Sequence, residues 1–192
     1  MNTDNKAPQK KPKPPKKITE SYLQNSGLYY LQRFPASSAH FQFIMMRKIK
    51  KSIRHHNQPT IEQATALLNK VTTHFEDLGF LNDNLYATGL ARSLFRKGMS
   101  EKMIANKLQH KGVPQDIIQD VLKEILPQDS ELIAAARLLQ RRRYGLFAST
   151  ETKRDYQKSL GVLGRAGFSF QTSSAVLSLS RAELEDILSK IN

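Results

Sequence analysis

From Ser21 onward the apolar residues fall at three- and four-residue steps, and the runs they form are cut at intervals by glycine or by a capping hydroxyl. Such spacing puts one apolar stripe on a helix, whereas a half-buried strand needs period-two alternation, which no segment here sustains. The strongest run is 60–78, where Ala64, Leu67, Leu68, Val71, Phe75 and Leu78 share a face. Thr60 and Gln63 form a capping box after Pro59, and Gly79 supplies a left-handed residue at the far end. A second helix is predicted over 84–97, with Asp83 as N-cap, Tyr86, Ala87, Leu90, Ala91, Leu94 and Phe95 inward, and Gly98 as the stop. Ser100 caps a third, 101–111, stopped by Gly112; Pro114 opens a fourth through Ile117, Ile118, Val121, Leu122 and Ile125. Ser130 is expected to cap 131–143, with Gly145 following. One helix from Ser149 or Thr150 carries Tyr156, Leu160 and Leu163 to a stop at Gly167, and another passes through Val176 and Leu177. Ser180 and Glu183 make a further capping box before Leu184, Ile187, Leu188 and Ile191.

The helices repeat. Gly112 and Gly167 lie 55 residues apart, each with a Leu four residues earlier (Leu108, Leu163) and a Val-Leu pair nine and ten residues later (Val121-Leu122, Val176-Leu177). Another 55 residues back stands Asn57, a residue that tolerates the left-handed conformation, with Ile53 four residues before it and Ala66-Leu67 after. The expected organisation is all-α: a flexible Lys/Pro-rich arm over 1–20, three-helix repeats over 22–82, 83–126 and 127–180, and a terminal amphipathic helix over 181–192. Repeats of this size stack to bury continuous apolar faces, which predicts an elongated, curved helical stack.

Charge is distributed unevenly. Residues 1–59 hold 12 basic and 2 acidic side chains, and the whole chain carries +13. A positive region of this kind attracts polyanions, whether nucleic acid, anionic membrane or an acidic protein face. The opening MNTDNKAPQKKPKPPKK is too poor in apolar residues to offset its ordering entropy, so it reads as a flexible tether or a solubilising tail. It lacks the apolar h-region of a secretory signal, and no stretch reaches the roughly 18 apolar residues of a bilayer span. With no cysteine there is neither a disulfide framework nor a thiolate metal site. A cytoplasmic protein without a membrane role is the expectation.

Little catalytic chemistry is encoded. His40, His55, His56, His74 and His110 form no HExxH and no pair three or four residues apart on one helix, so no local zinc site is expected. Neither GxxxxGK[ST] nor GxGxxG occurs, and Gly161, Gly164 and Gly167 lie within and at the end of a helix, not after a strand. The acidic clusters Glu76-Asp77 and Glu183, Glu185, Asp186 fall on exposed faces of amphipathic helices. No enzyme activity and no cofactor are predicted.

The basic residues are better ordered. On the helix through 41–54, Arg47, Lys50, Lys51 and Arg54 occupy roughly a 100° arc, opposite Met45, Met46, Ile49 and Ile53. This stripe is either a solvated face or a polyanion contact, and the scarcity of acids around it favours contact. Arg92, Arg96 and Lys97 make a second candidate cluster, and Arg141, Arg142, Arg143, Lys153 and Arg154, with Arg165, a third. Cations in a last helical turn are favoured by the macrodipole whether or not a partner binds, which leaves the arginine triplet open.

Two segments carry a family resemblance: FEDLGFLNDNLYATGLARSLFRKGMSEKMIANKLQHKGVPQDIIQDVL over 75–122 and VLGRAGFSFQTSSAVL over 162–177. They resemble the RecX family's Leu-Gly-Leu-Asp-Asp-like turn, its helix bearing Ala and Arg, and its Gly followed by Leu-x-x-Lys-Gly-aliphatic. Asn82 stands where the family usually has Asp, Tyr86 where Phe is common, and Asn57 where the later units have Gly. The resemblance implies a regulator that binds RecA recombinase filaments on single-stranded DNA and limits their ATPase and strand exchange during DNA repair. The expected partners are the RecA filament and single- or double-stranded DNA, met by a monomer. Leu81, Gly98, Leu108, Gly112, Leu163 and Gly167 read as structural. The rival reading is a general DNA-binding protein working through its basic N-terminal third.

Overall fold

A computed structural model describes residues 14–189, apart from the side chains of Lys153 and Arg154. Within them all regular structure is helical: α1 (Glu20–Leu31), α2 (Ser38–His56), α3 (Ile61–Asp77), α4 (Asp83–Arg96), α5 (Glu101–His110), α6 (Gln115–Ile125), α7 (Ser130–Arg142), α8 (Glu151–Arg154), α9 (Tyr156–Arg165), α10 (Phe170–Ser178) and α11 (Arg181–Ser189), with a 3-10 turn at Gly145–Phe147. Residues 1–13 of the expected arm, and Ile191 of the terminal helix, lie outside the described residues. The described residues divide into two units, one of residues 14–34 and 41–80, the other of residues 35–40 and 81–189.

In the first unit Leu23 of α1, Phe41, Met45 and Ile49 of α2, and Ala64, Leu68, Val71 and Phe75 of α3 are buried. Gly27 sits where α1 meets both rings, and a Cβ there would come within 2.7 Å of Phe75 and 2.9 Å of Phe41. Its cost in helix propensity is offset by the contact it permits between those rings, whose centroids lie 5.6 Å apart. The expected capping box at Thr60 and Gln63 is present. Before α1, the carbonyl of Lys16 accepts from the Ser52 hydroxyl at 2.7 Å, and that of Pro15 accepts from His56 Nε2–H at 2.7 Å, pinning this strip of chain to α2.

The second unit is built on α7, whose Ile133, Ala134, Ala135, Ala136, Leu138 and Leu139 are all buried. Ala87, Ala91, Leu94 and Phe95 of α4, Ile104 and Leu108 of α5, Ile118, Val121 and Leu122 of α6, Val162 and Leu163 of α9, Val176 of α10 and Leu184 of α11 complete the core. Burying a Leu such as Leu108 or Leu163 contributes roughly 1.5–3 kcal/mol.

Four helices of this unit end alike. The N–H groups of Met99, Val113, Tyr144 and Phe168 return to the carbonyls of Leu94, Leu108, Leu139 and Leu163 at 2.9–3.2 Å. This is the Schellman ending, and a left-handed residue precedes each returning N–H: Gly98, Gly112, Arg143 and Gly167. Asn57 is also left-handed, with φ 58°, so all three residues of the 55-residue spacing share a conformation.

The helix starts correct several expectations. Asn82, not Asp83, N-caps α4: its side chain accepts from Leu85 N–H at 2.9 Å, while Asp83 is the first helical residue. Ser130 lies inside α7, and Asp129 precedes it without a side-chain cap. The α7 stop is Arg143, and Gly145 instead opens the 3-10 turn. The single helix expected from 149 or 150 is broken at Asp155, whose carboxylate caps α9 through Lys158 N–H at 2.7 Å. The Asn82 and Asp83 exchange concerns two adjacent side chains, either of which can cap the same helix start.

Two junctions within the second unit share a construction. Ser37 accepts from His40 N–H at 3.1 Å, capping the opening turn of α2, and donates its hydroxyl to the carbonyl of Lys111, just before Gly112. Ser100 caps α5 through Met103 N–H at 3.4 Å and donates to the carbonyl of Ala166, just before Gly167, at 2.9 Å. Next to each serine a helix N–H meets a carboxylate: Ser38 N–H donates to Asp83 at 2.8 Å and Glu101 N–H to Glu131 at 2.7 Å. The 55-residue spacing of Gly112 and Gly167 therefore marks the repeat of one packing device.

Candidate nucleic-acid interface

The cationic stripe belongs to α2. Its apolar face is fixed by burial of Phe41, Met45, Ile49 and Ser52, so at 100° per residue the opposite face carries Arg47, Lys50, Lys51 and Arg54 outward. All four are exposed and together line one surface depression with no other residue type. Three successive helical turns contribute: Arg47, then Lys50 and Lys51, then Arg54, at about 5.4 Å per turn. The cationic ladder is therefore about 10 Å long.

No ion pair among the described residues involves it: those present are Lys70 with Glu20 and Arg181 with Glu185, both at 2.9 Å. The one hydrogen bond shown within it runs from Arg54 Nε to the Lys50 carbonyl at 3.4 Å, which holds the guanidinium along the helix. Four neighbouring cations repel one another, and a phosphodiester strand would relieve that repulsion while releasing its own counterions.

The other candidates do not converge in this way. Arg92 and Arg96 share one face of α4 and, with Lys97, are exposed near its C-terminal end; Arg141, Arg142 and Arg143 are exposed where α7 ends. The left-handed turn at Arg143 redirects the backbone after Arg142, so the triplet does not form a single face. The side chains of Lys153 and Arg154 lie outside the described residues, and Arg165 is exposed on α9.

A second depression went unnoticed in the sequence. It is lined by Leu90 and Leu94 of α4, Met103, Asn106, Lys107 and His110 of α5, and Lys111. The signal was present, since 103, 106, 107, 110 and 111 follow the i, i+3, i+4, i+7, i+8 pattern of one face. The apolar half, however, comes from another helix. Beside it His40 Nε2 lies 3.5 Å from the Lys111 ammonium. Burial and that positive charge hold the His40 pKa below its usual value, which favours the neutral ring whose Nε2 accepts from the ammonium. No group of three or more His, Asp or Glu that could hold a metal occurs among the described residues, and none of their helices is long and apolar enough to cross a membrane.

Comparison with known proteins gives a consistent answer. The family model for the second three-helix domain of RecX matches residues 82–122. A regulatory protein RecX from Myxococcus xanthus is 33% identical over 168 residues, covering 86% of this chain and 89% of that protein. One from Agrobacterium fabrum is 30% identical over 170 residues, covering 88% and 89%. Among solved structures, RecX from Lactobacillus salivarius superposes with a TM-score of 0.60 at 18% identity, covering 86% of this chain and 96% of that one, a likeness of fold.

Proposed function

The chain belongs to the RecX family of regulatory proteins, and from that premise we propose that it binds RecA filaments on single-stranded DNA and limits their ATP turnover and strand exchange. It does so as a cytoplasmic monomer and without catalysis of its own. The observation carrying the structural side of this reading is the α2 ladder, four exposed cations in one depression with no carboxylate among its lining residues. A nucleoprotein filament offers such a surface both phosphates and protein. Arg92, Arg96, Lys97, Arg141, Arg142, Arg143, Lys153 and Arg154 are further contacts in this reading, each alterable singly.

The test is a titration of the purified chain into RecA hydrolysing ATP on single-stranded DNA. Suppression is expected at concentrations below those that bind bare DNA, and an Arg47, Lys50, Lys51 and Arg54 quadruple alanine variant should suppress less. No suppression at any concentration rejects the proposal. A folded variant that suppresses fully leaves the ladder a solvated face.

A second reading, general DNA binding through the basic N-terminal third, is favoured by the net +10 of residues 1–59. It predicts binding to bare DNA that falls steeply with salt and weakens when residues 1–17 are removed.

A further inference from the structure

The α4–α5 depression has a composition unlike that of the α2 ladder. Its floor is aliphatic, with Leu94 buried and Leu90 and Met103 half-buried, and its rim carries Lys107, His110 and Lys111. Its volume of about 540 Å³ is that of a small ligand site. From Met103 to Lys111 it runs eight residues along α5, about 12 Å, enough for two turns of a docked helix or some four extended residues. No carboxylate lines it.

The rim groups are held in place. His110 Nδ1–H donates to the Asn106 carbonyl at 2.7 Å, turning Nε2 away from its own helix. The Lys111 ammonium lies against His40 Nε2, and the Lys111 carbonyl is taken by Ser37, which fixes the backbone beneath the side chain. Lys107 makes no ion pair among the described residues.

We propose that this groove takes a short acidic segment of a protein partner, with an aliphatic or aromatic anchor on Leu90, Leu94 and Met103 and carboxylates on Lys107 and Lys111. A phosphodiester strand could use the rim, but the floor offers it no donors and would stay partly wet. A peptide with one apolar side chain between acidic ones satisfies both halves, by burial below and charge-assisted hydrogen bonds above. The inference rests on the reading that the partner is a protein filament on DNA, and it gives the two charged surfaces different tasks: strand on α2, protein segment on α4–α5.

The experiment uses the full chain and two binding measurements: cosedimentation with RecA filaments assembled on poly(dT) with a slowly hydrolysed ATP analogue, and anisotropy of labelled oligo(dT) alone. Lys107→Glu with Lys111→Glu is expected to weaken filament binding at least tenfold and leave oligo(dT) binding within twofold. Lys107→Arg with Lys111→Arg, which keeps both charges, should bind filaments like the unaltered chain. Leu90→Asn should weaken filament binding alone, with circular dichroism melts reporting whether each variant is folded. If filament and oligo(dT) binding fall together, the groove is a nucleic-acid site; if neither falls, it is no contact; either result overturns the proposal. Loss on charge reversal without loss for folded Leu90→Asn overturns the apolar anchor. Failure of the unaltered chain to cosediment refutes the filament reading itself, and the groove inference falls with it.

Discussion

Gly98 separates two costs that are usually confounded. It and Gly145 both lie in the second unit with positive φ, 72° and 58°. Alanine at either position pays about 1–2 kcal/mol for the left-handed conformation. Their surroundings differ. A Cβ on Gly145 would meet Leu177 Cδ2 at 3.4 Å, an ordinary contact, whereas one on Gly98 would lie 2.6 Å from the Leu138 nitrogen and 2.8 Å from the Ala134 carbonyl oxygen. Those are main-chain atoms of α7, buried in the middle of the core, and they cannot rotate aside. Overpacking of this kind adds about 1–3 kcal/mol. Gly98→Ala should therefore cost about 2–5 kcal/mol against about 1–2 for Gly145→Ala. Urea titrations followed by helical circular dichroism measure both, and thermal melts show the gap at roughly 2–4 °C per kcal/mol for a chain of this size. Asparagine sharpens the comparison: it tolerates φ > 0 and so should be nearly neutral at 145, but it still carries a Cβ and should remain destabilising at 98. Equal losses for the two alanine variants would refute the claim that the α4–α5 turn rests on the α7 backbone.

Asp83→Ala should cost about 0.5–2 kcal/mol by leaving Ser38 N–H without its carboxylate, and Asp83→Asn should recover most of that, as read from urea midpoints. Asn82→Ala should cost a similar amount, about 0.5–2 kcal/mol, through loss of the α4 cap. For Glu131, burial pushes the carboxyl pKa up; the hydrogen bond from Glu101 N–H opposes this, and the Glu101 charge adds to it. The folded state thus holds this proton more tightly than the unfolded one, so the contribution is fully present below the ordinary value of 4.5 and is lost as pH rises through the folded value. Glu131→Gln keeps an acceptor for Glu101 N–H, and its stability near neutrality should equal or exceed that of the unaltered chain, with a flatter profile across that window. In the α2 ladder, quadruple alanine substitution should reduce the slope of log K against log salt on oligo(dT) by up to about 3, at about 0.7 per phosphate contact; an unchanged slope would mean the ladder touches no phosphate.

How far each feature was readable follows from how local its cause is. The helix of 60–78 is specified within itself by a capping box, an apolar stripe and a terminal glycine, and α3 occupies nearly that span. The α2 ladder was legible for the same reason, since one helix supplies all of its members. Asn82 and Asp83 were not separable, because both can cap α4 in isolation. What decides between them is Ser38, 45 residues away in sequence, whose N–H takes the Asp83 carboxylate and leaves the cap to Asn82. The α4–α5 groove failed for a related reason: either half alone reads as an ordinary amphipathic face.

The two serine junctions rest on a chemistry that a hydroxyl supplies and a carboxylate does not. Ser37 and Ser100 each accept from the helix they cap and donate onward to a carbonyl that precedes a left-handed glycine. A hydroxyl can do both at once because it carries a hydrogen and two lone pairs. At the corresponding helix start before α9 the cap is Asp155, and an ionised carboxylate accepts only. It meets Lys158 N–H in the usual way but has nothing to donate to a following turn, so the device that joins α2 to the α5–α6 turn and α5 to the α9–α10 turn has no third instance at α9. Helix α11 begins with a Ser180 and Glu183 capping box and buries Leu184 in the α7 core.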